Sequence, residues 1–451
     1  MSTPTRTAQR VFDQRQEPLP PTWCPRPTSE AKVPVQVGHV YRSDLSRRTA
    51  TAIVEAIGSA AEVVILMSFL LADDAIEEAM LRAARRGVRV YVMTATDARL
   101  DREPREDSEA DKEAIAHHKA MLNKLAGWVL LRSAPGYHAK VVLIDPARGG
   151  AGFLLTSNLT EGALTKNEEL AVRLTPAECG AAFRWLAWAM WEAADHELLE
   201  PGRLLPINDP SGRVSLPRDT GNIVATMREP GTLRSAVLSR IRAARSSIVV
   251  ASFGWSADHE ALKALAEKAR SGVSVTVLAR IRGGMTQPLL TLVDAGARVL
   301  GFHMLHAKAL WVDEQDALVM TANLDEHGLD TSIELGVALD RERSAAVGTL
   351  LGAWVDAAPF ELRRSPPLGD VLGEVHVWNG ERLHRSRVTK SETRTLPTVT
   401  LKSAASPEPE PVLPREKHGL PILAHEVVAT WTVVGPPPAP PPKKADPRAA
   451  T

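Results

Sequence analysis

Cysteine is almost missing from this sequence: Cys24 and Cys179 are the only two among 451 residues. Two distant thiols exclude a disulfide framework and a thiolate zinc site. They suit a reducing compartment, so a cytoplasmic location is expected. Long apolar runs are also missing. The longest candidate, around Val63 to Ala72, has the length of a buried strand, not of a membrane-crossing helix. The opening Met-Ser-Thr-Pro-Thr-Arg lacks the apolar core of a secretory signal. An integral membrane enzyme is therefore disfavoured, whereas a peripheral one stays compatible. Nor is there an excess of one charge, because 54 Lys and Arg face 54 Asp and Glu. Global charge thus gives no argument for a nucleic-acid partner, and any basic groove must be local. What remains is a chain of ordinary globular composition, 44% hydrophobic and 24% charged, too long for a single core.

The chain repeats itself. His138-Ala-Lys140-Val-Val-Leu-Ile-Asp145 recurs as His306-Ala-Lys308-Ala-Leu-Trp-Val-Asp313. Ahead of each octet come a helix, an apolar strand, a second helix and a Gly-Val strand: helices at 49–60 and 74–86 in the first copy, 234–244 and 259–270 in the second. Behind each comes an asparagine, Asn158 or Asn323, and eleven residues later a glutamate, Glu169 or Glu334. Each glutamate opens another apolar strand, and a Trp-bearing helix follows. Such alternation implies parallel strands with crossover helices, and agreement in order and spacing implies duplication.

The octet carries chemistry. On an alternating strand, residues i and i+2 share a face, which would set one imidazole beside one ammonium. A neutral imidazole can attack phosphorus, an imidazolium can protonate a leaving oxygen, and lysine can hold anionic oxygens. Two copies supply both partners of a two-histidine reaction. His117, His118 and His303 lack the company of other metal ligands, so no metal or other cofactor is expected. Trp185, Trp188 and Trp191 read as packing residues before stacking platforms.

The pattern His-x-Lys-x4-Asp, followed by a hydroxyl residue two before Asn, resembles the phospholipase D superfamily. The likeness covers roughly residues 40–360. It implies an α/β fold of two pseudo-symmetric lobes, each a mostly parallel mixed sheet flanked by helices, meeting at one shared active site. It also implies phosphodiester hydrolysis or transfer through a covalent phosphohistidine, generally without metal. His138 and His306 would then be nucleophile and general acid, in an order left open. Lys140 and Lys308 would clamp the non-bridging oxygens, and Asn158 and Asn323 would donate to the same phosphate. Glu169 and Glu334 would hold the ring nitrogens that do not react, with Asp145 and Asp313 structural. The family usually has Gly-Ser where this chain has Leu155-Thr156 and Met320-Thr321. Thr156 and Thr321 keep the hydroxyl, and the lost glycines suggest altered specificity.

The expected organisation is an N-terminal arm (1–40), a first lobe (41–200), a linker (201–228), a second lobe (229–360), a small β-containing extension (361–434) with an Asn379-Gly380 hairpin turn, and a Pro-rich tail (435–451). A solvated loop and helix are expected at 100–119. The extension and tail suit protein partners, and a homo-oligomer stays open. Four substrates compete: nucleic acid, phospholipid, polyphosphate or another small phosphodiester, or bound but uncleaved nucleic acid. A nuclease, with DNA as the favoured partner and a role in bacterial restriction or phage defence, is the expectation. It rests on the cytosolic character, the local basic stretch 382–402, and likeness to soluble bacterial members of the family. A phospholipase or phosphatidyltransferase is the alternative, and it would need an apolar entrance.

Overall fold

The computed structural model describes residues 7–12, 18–27, 33–95, 109–207, 212, 214–218, 220–367, 370–388, 416–417, 420–421 and 426–431. Two units are distinct: Trp23–Arg364, and a second made of Met1–Thr22 with Ser365–Thr451. Within the second, Thr7–Phe12 pairs antiparallel with Glu426–Trp431, and Gly373–Trp378 with Leu383–Val388. The latter hairpin turns at Asn379, whose side-chain oxygen accepts from the Glu381 and Arg382 N–H groups, while Gly380 takes φ +102°. Most of the basic stretch, the Pro/Glu-rich 406–414 and the tail lie outside the described residues, as do 100–108.

The larger unit holds both repeats, and their sheets have the same strand order. In the first, Leu130–Ala134, Arg89–Ala95, Val63–Met67, Val141–Ile144, Gly152–Leu155, Leu170–Leu174 and Val40–Arg42 lie side by side. In the second, Arg298–Phe302, Ser274–Arg280, Ser247–Ser252, Ala309–Val312, Asp316–Met320, Ile333–Ala338 and Ile223–Met227 do the same. Ladders are parallel where helices cross over and antiparallel both across short turns and where the central strand meets the octet strand. Helices Arg48–Gly58 and Asp74–Arg85 serve the first sheet, and Thr232–Ala243 and Glu260–Arg270 the second.

Two strands fall inside the span read as a linker. Arg203–Pro206 pairs with His196–Glu200, and Ile223–Met227 pairs with Ile333–Ala338. Ile223–Met227 is the second copy's counterpart of Val40–Arg42. Five residues between Pro- and Gly-containing turns carry too little alternation to signal a strand; the ladder partner defines it.

One apolar cluster runs through both repeats, from Met67, Val141 and Leu143 to Ala309, Val319 and Leu335. The helices Pro176–Trp188 and Arg341–Ala357 contribute Trp185 and Trp354 to it. Trp185 also donates to Thr220 Oγ1 at 3.0 Å, so it is a packing residue with a satisfied N–H. Between the same helices lies a buried ion pair: Arg343 donates through both terminal nitrogens to Glu178, at 2.6 and 2.7 Å. Asp340, the N-cap of the second helix, accepts from Arg343 Nε at 2.6 Å. Bidentate geometry of this kind fixes the two repeats in one register.

Candidate active site

Each octet begins at the seam between repeats. The strand expected to carry the histidine and lysine starts one residue later, at Val141 and at Ala309. The His-Ala-Lys stretch runs ahead of it because its backbone bonds to the other repeat instead. His138 N donates to Ile333 O at 3.1 Å and Ile333 N to Gly136 O at 2.8 Å. In mirror fashion, His306 N and Ala307 N donate to Glu168 O at 3.0 and 2.8 Å, and Glu168 N to Met304 O at 3.1 Å. These bonds deliver each histidine to the glutamate of the opposite copy.

The side chains cross accordingly. His138 Nδ1 lies 2.6 Å from Glu334 Oε1, and His306 Nδ1 lies 2.7 Å from Glu169 Oε1. Each glutamate is itself held. Thr156 Oγ1 donates to Glu169 Oε2 at 2.6 Å, and Thr321 Oγ1 donates to Glu334. The threonine hydroxyls in turn accept from Leu170 N at 2.9 Å and Leu335 N at 3.0 Å. Lys140 and Lys308 are fully buried and donate to the carbonyls of His138 and His306. Lys308 also reaches Thr156 O of the first repeat, at 3.2 Å. The charge of both lysines acts on both imidazoles, which places all four groups in one site.

Asp145 and Asp313 stand elsewhere. Asp145 accepts from the N–H groups of Ala61, Glu62 and Val63 at 2.7–2.8 Å. Asp313 accepts from Arg245, Ser246 and Ser247 in the same manner. They close the loops that enter Val63–Met67 and Ser247–Ser252, and neither touches a site histidine. His117 pairs with Asp74 at 2.8 Å, and the buried His118 accepts from Leu71 N at 3.0 Å.

Asn158 and Asn323 each leave a buried Oδ1 without a hydrogen-bond partner. Their loops are placed by Ser68 and Ser252, whose hydroxyls accept from Leu159 N and Leu324 N, both at 3.1 Å. The next residues, Phe69 and Phe253, set their rings edge-on to His138 and His306, with centroids 5.5 and 4.8 Å apart. Sequence reasoning missed this Ser-Phe pair. The signal was present, since Ser-Phe ends the same strand in both repeats. At Gly254, next in line, a Cβ would stand 2.4 Å from Asp325 Oδ2 and 3.0 Å from Asn323 Nδ2, so a side chain there would displace both.

Burial governs the protonation states. It pushes the imidazoles down, His138 to about 3 and His306 to about 4, against the opposing pull of Glu334 and Glu169. Burial would raise the two glutamates, but the facing histidine and the lysines outweigh it and hold each at about 2. Lys308 is lowered by burial to about 8. At neutral pH both rings are therefore neutral. With Nδ1–H given to a carboxylate, each keeps its Nε2 lone pair for chemistry. Acidification should destabilise the fold. The unfolded chain binds protons near 6.5 on histidine and near 4.5 on glutamate, whereas the folded site binds them only at lower pH. We expect Tm to be flat only between about pH 7 and 8, to rise above that as the buried Lys308 loses its proton, and to fall by several degrees or more between pH 6.5 and 4. His138→Gln with His306→Gln should shrink that fall, leaving the share of the buried His118, itself lowered to about 4. Calorimetry over this range checks it; a Tm that rises on acidification would contradict the assignment.

Two sheets of one topology, joined so that each supplies the carboxylate for the other's histidine, define a duplicated α/β protein with one shared two-histidine site. The comparisons agree. Residues 53–191 and 237–348 match the family model described as cardiolipin synthase, PLD-like domain, and the chain belongs to this branch of the phospholipase D superfamily. Cardiolipin synthase A of Edwardsiella ictaluri (strain 93-146) is 25% identical over 292 residues, which cover 59% of this chain and 58% of the relative. That of Yersinia pseudotuberculosis serotype O:1b (strain IP 31758) is 24% identical over 290 residues, with the same coverage. The chain thus spans somewhat over half the length of the curated relatives it matches. The crystal structure of phosphatidylserine synthase from Haemophilus influenzae Rd KW20 shares the fold: TM-score 0.54, 12% identity, 78% of this chain and 90% of that one.

These relatives overturn the nuclease expectation, and with it DNA as partner and the defence role, because the curated relatives are named for lipid synthesis. The reason for the error is physical. A phosphohistidine site reads the phosphodiester and not what hangs from it, so the motifs carry no substrate information. Balanced charge had already withheld support for a polyanionic partner.

Proposed function

We propose that the protein is a phosphatidyltransferase, which moves a phosphatidyl group from one phospholipid to the hydroxyl of another through a phosphohistidine, as cardiolipin synthesis requires. The crossed His138–Glu334 and His306–Glu169 pairs carry the reaction class. The names of the relatives support the lipid. One Nε2 attacks phosphorus and forms the P–N bond as the P–O bond to the leaving alcohol breaks; the other imidazole gives that oxygen its proton. The acceptor hydroxyl then attacks phosphorus, returns its proton to the second imidazole, and the P–N bond breaks. The bound phosphodiester anion favours the one imidazolium this needs, and the two lysines with the asparagine side chains stabilise the equatorial oxygens.

Two exposed apolar side chains near the site in the chain support a lipid substrate. Leu45 is 82% exposed, two residues from Ser43, whose N–H bonds to Glu169 O. Met304, 38% exposed, is bonded through its carbonyl to Glu168 N. Both stand beside the Glu168-Glu169 segment that reaches His306. Among the described residues no helix is long and apolar enough to cross a membrane, so lipid would be met at a bilayer surface. The test is incubation with phosphatidylglycerol vesicles in EDTA, followed by lipid chromatography. A diphosphatidyl product with released glycerol supports the reading. Phosphatidic acid alone would make the protein a hydrolase, and untouched lipid would reject the proposal.

A further inference from the structure

The two halves of the site are not equivalent. At the end of the second repeat's Ser274–Arg280 strand stand Arg280 and, two residues on, Arg282. Counted from the Gly-Val that opens the matching strand, the first repeat has Ala95 and Asp97 at these positions. The Arg282 guanidinium carbon lies 4.4 Å from the Phe253 ring centroid and that of Arg280 lies 5.4 Å from it. The same ring meets His306 edge-on at 4.8 Å. Two cations are thus stacked on the aromatic wall of one histidine, and the charge of Arg280 reaches Lys308. Glu168 feels the charges of Arg280 and Arg42 as well as that of its neighbour Glu169. One Glu168 oxygen, Oε2, is buried without a hydrogen-bond partner.

We infer that Arg280 and Arg282, held over Phe253, form a second anion subsite beside His306, which takes the phosphate of the acceptor lipid. This rests on the phosphatidyltransferase reading. An acceptor such as phosphatidylglycerol carries its own phosphodiester a three-carbon bridge away from the attacking hydroxyl. When that hydroxyl is at the reacting phosphorus, a second anion must sit close by, and Lys140 and Lys308 are committed to the first. Arginine forks suit a phosphate that is to be held without reacting. The subsite would favour an anionic lipid alcohol over water or a neutral alcohol, and so favour transfer over hydrolysis.

Binding and turnover test it separately. Calorimetric titration of the whole protein should show glycerol 1,3-bisphosphate binding roughly tenfold or more tightly than glycerol 1-phosphate. Arg280→Gln with Arg282→Gln should abolish that difference and leave glycerol 1-phosphate binding unchanged; should the double variant fail to fold, Arg282→Gln alone should shrink the difference. Equal binding of the two ligands by the unaltered protein, or a difference that survives in the folded variants, overturns the subsite. Tighter binding of a dinucleoside bisphosphate would overturn the lipid assignment. In turnover, the variant should keep phosphatidyl transfer to ethanol and lose transfer to phosphatidylglycerol; equal loss of both overturns the inference while the transferase reading stands. If the unaltered protein transfers no phosphatidyl group, that reading fails and the bisphosphate titration alone decides the subsite.

Discussion

His138→Gln and His306→Gln are each expected to lower turnover by about four orders of magnitude or more. The double variant should be scarcely worse than either single one, because groups that act in one step do not add. The crossed geometry makes this expectation strict. His138 is oriented by Glu334 of the second repeat, and His306 by Glu169 of the first. Neither repeat holds a complete set of reacting and orienting groups. Initial rates with purified variants at saturating lipid measure the effect. About half the activity surviving in either single variant would mean two independent sites and would refute the shared one.

The second large effect is expected from the carboxylates. Glu169→Gln and Glu334→Gln should each lower the rate by roughly 10²–10⁴-fold, the scale seen when the group that fixes a catalytic imidazole's tautomer is altered. The amide keeps the size but loses the charge that raises the proton affinity of the ring it faces. The affected imidazole should therefore bind its proton less readily, and the limb of the pH–rate profile that reports it should move to lower pH. Glu169→Gln should move the limb of His306, and Glu334→Gln that of His138. Each carboxylate also accepts from a threonine that draws off part of its charge, so Thr156→Val and Thr321→Val should move the same limbs slightly the other way, to higher pH. If Glu169→Gln shifted the limb lost in His138→Gln, the crossing would be wrong.

How much of this was legible in the sequence follows from what repetition can encode. The duplicated octets, asparagines and glutamates are chemically distinctive and evenly spaced, and the structure brings His138, Lys140, Glu169, His306, Lys308 and Glu334 into one site. The apolar periodicity also located the crossover helices, with ends off by a residue or two, as helix ends usually are. What the sequence could not show was pairing across the seam. Nothing in the spacing of Glu169 tells whether it serves His138, thirty-one positions away, or His306. That is decided by the Glu168 carbonyl accepting from His306 and Ala307. Ile223–Met227 escaped notice because five residues gain their strand character from Ile333–Ala338. Phe69 and Phe253 were overlooked since aromatic residues after an apolar strand usually signify core. The substrate was illegible for a deeper reason: the repeated motifs address the phosphate, and residues around it, such as Arg280 and Arg282 beside Phe253, differ between the repeats.

One measurement addresses the central claim directly, that two repeats build one phosphohistidine site. The protein is mixed with phosphatidylglycerol labelled in its phosphate, quenched in alkali within a turnover, digested, and the label located by mass spectrometry. Phosphoramidates survive base and are lost in acid, so label on histidine is distinguishable from phosphoserine or bound lipid. The account predicts at most one labelled histidine per chain, always the same one of His138 and His306, and no label on it when the other is Gln and cannot protonate the leaving oxygen. Two labels per chain, or turnover with neither histidine ever labelled, would contradict it.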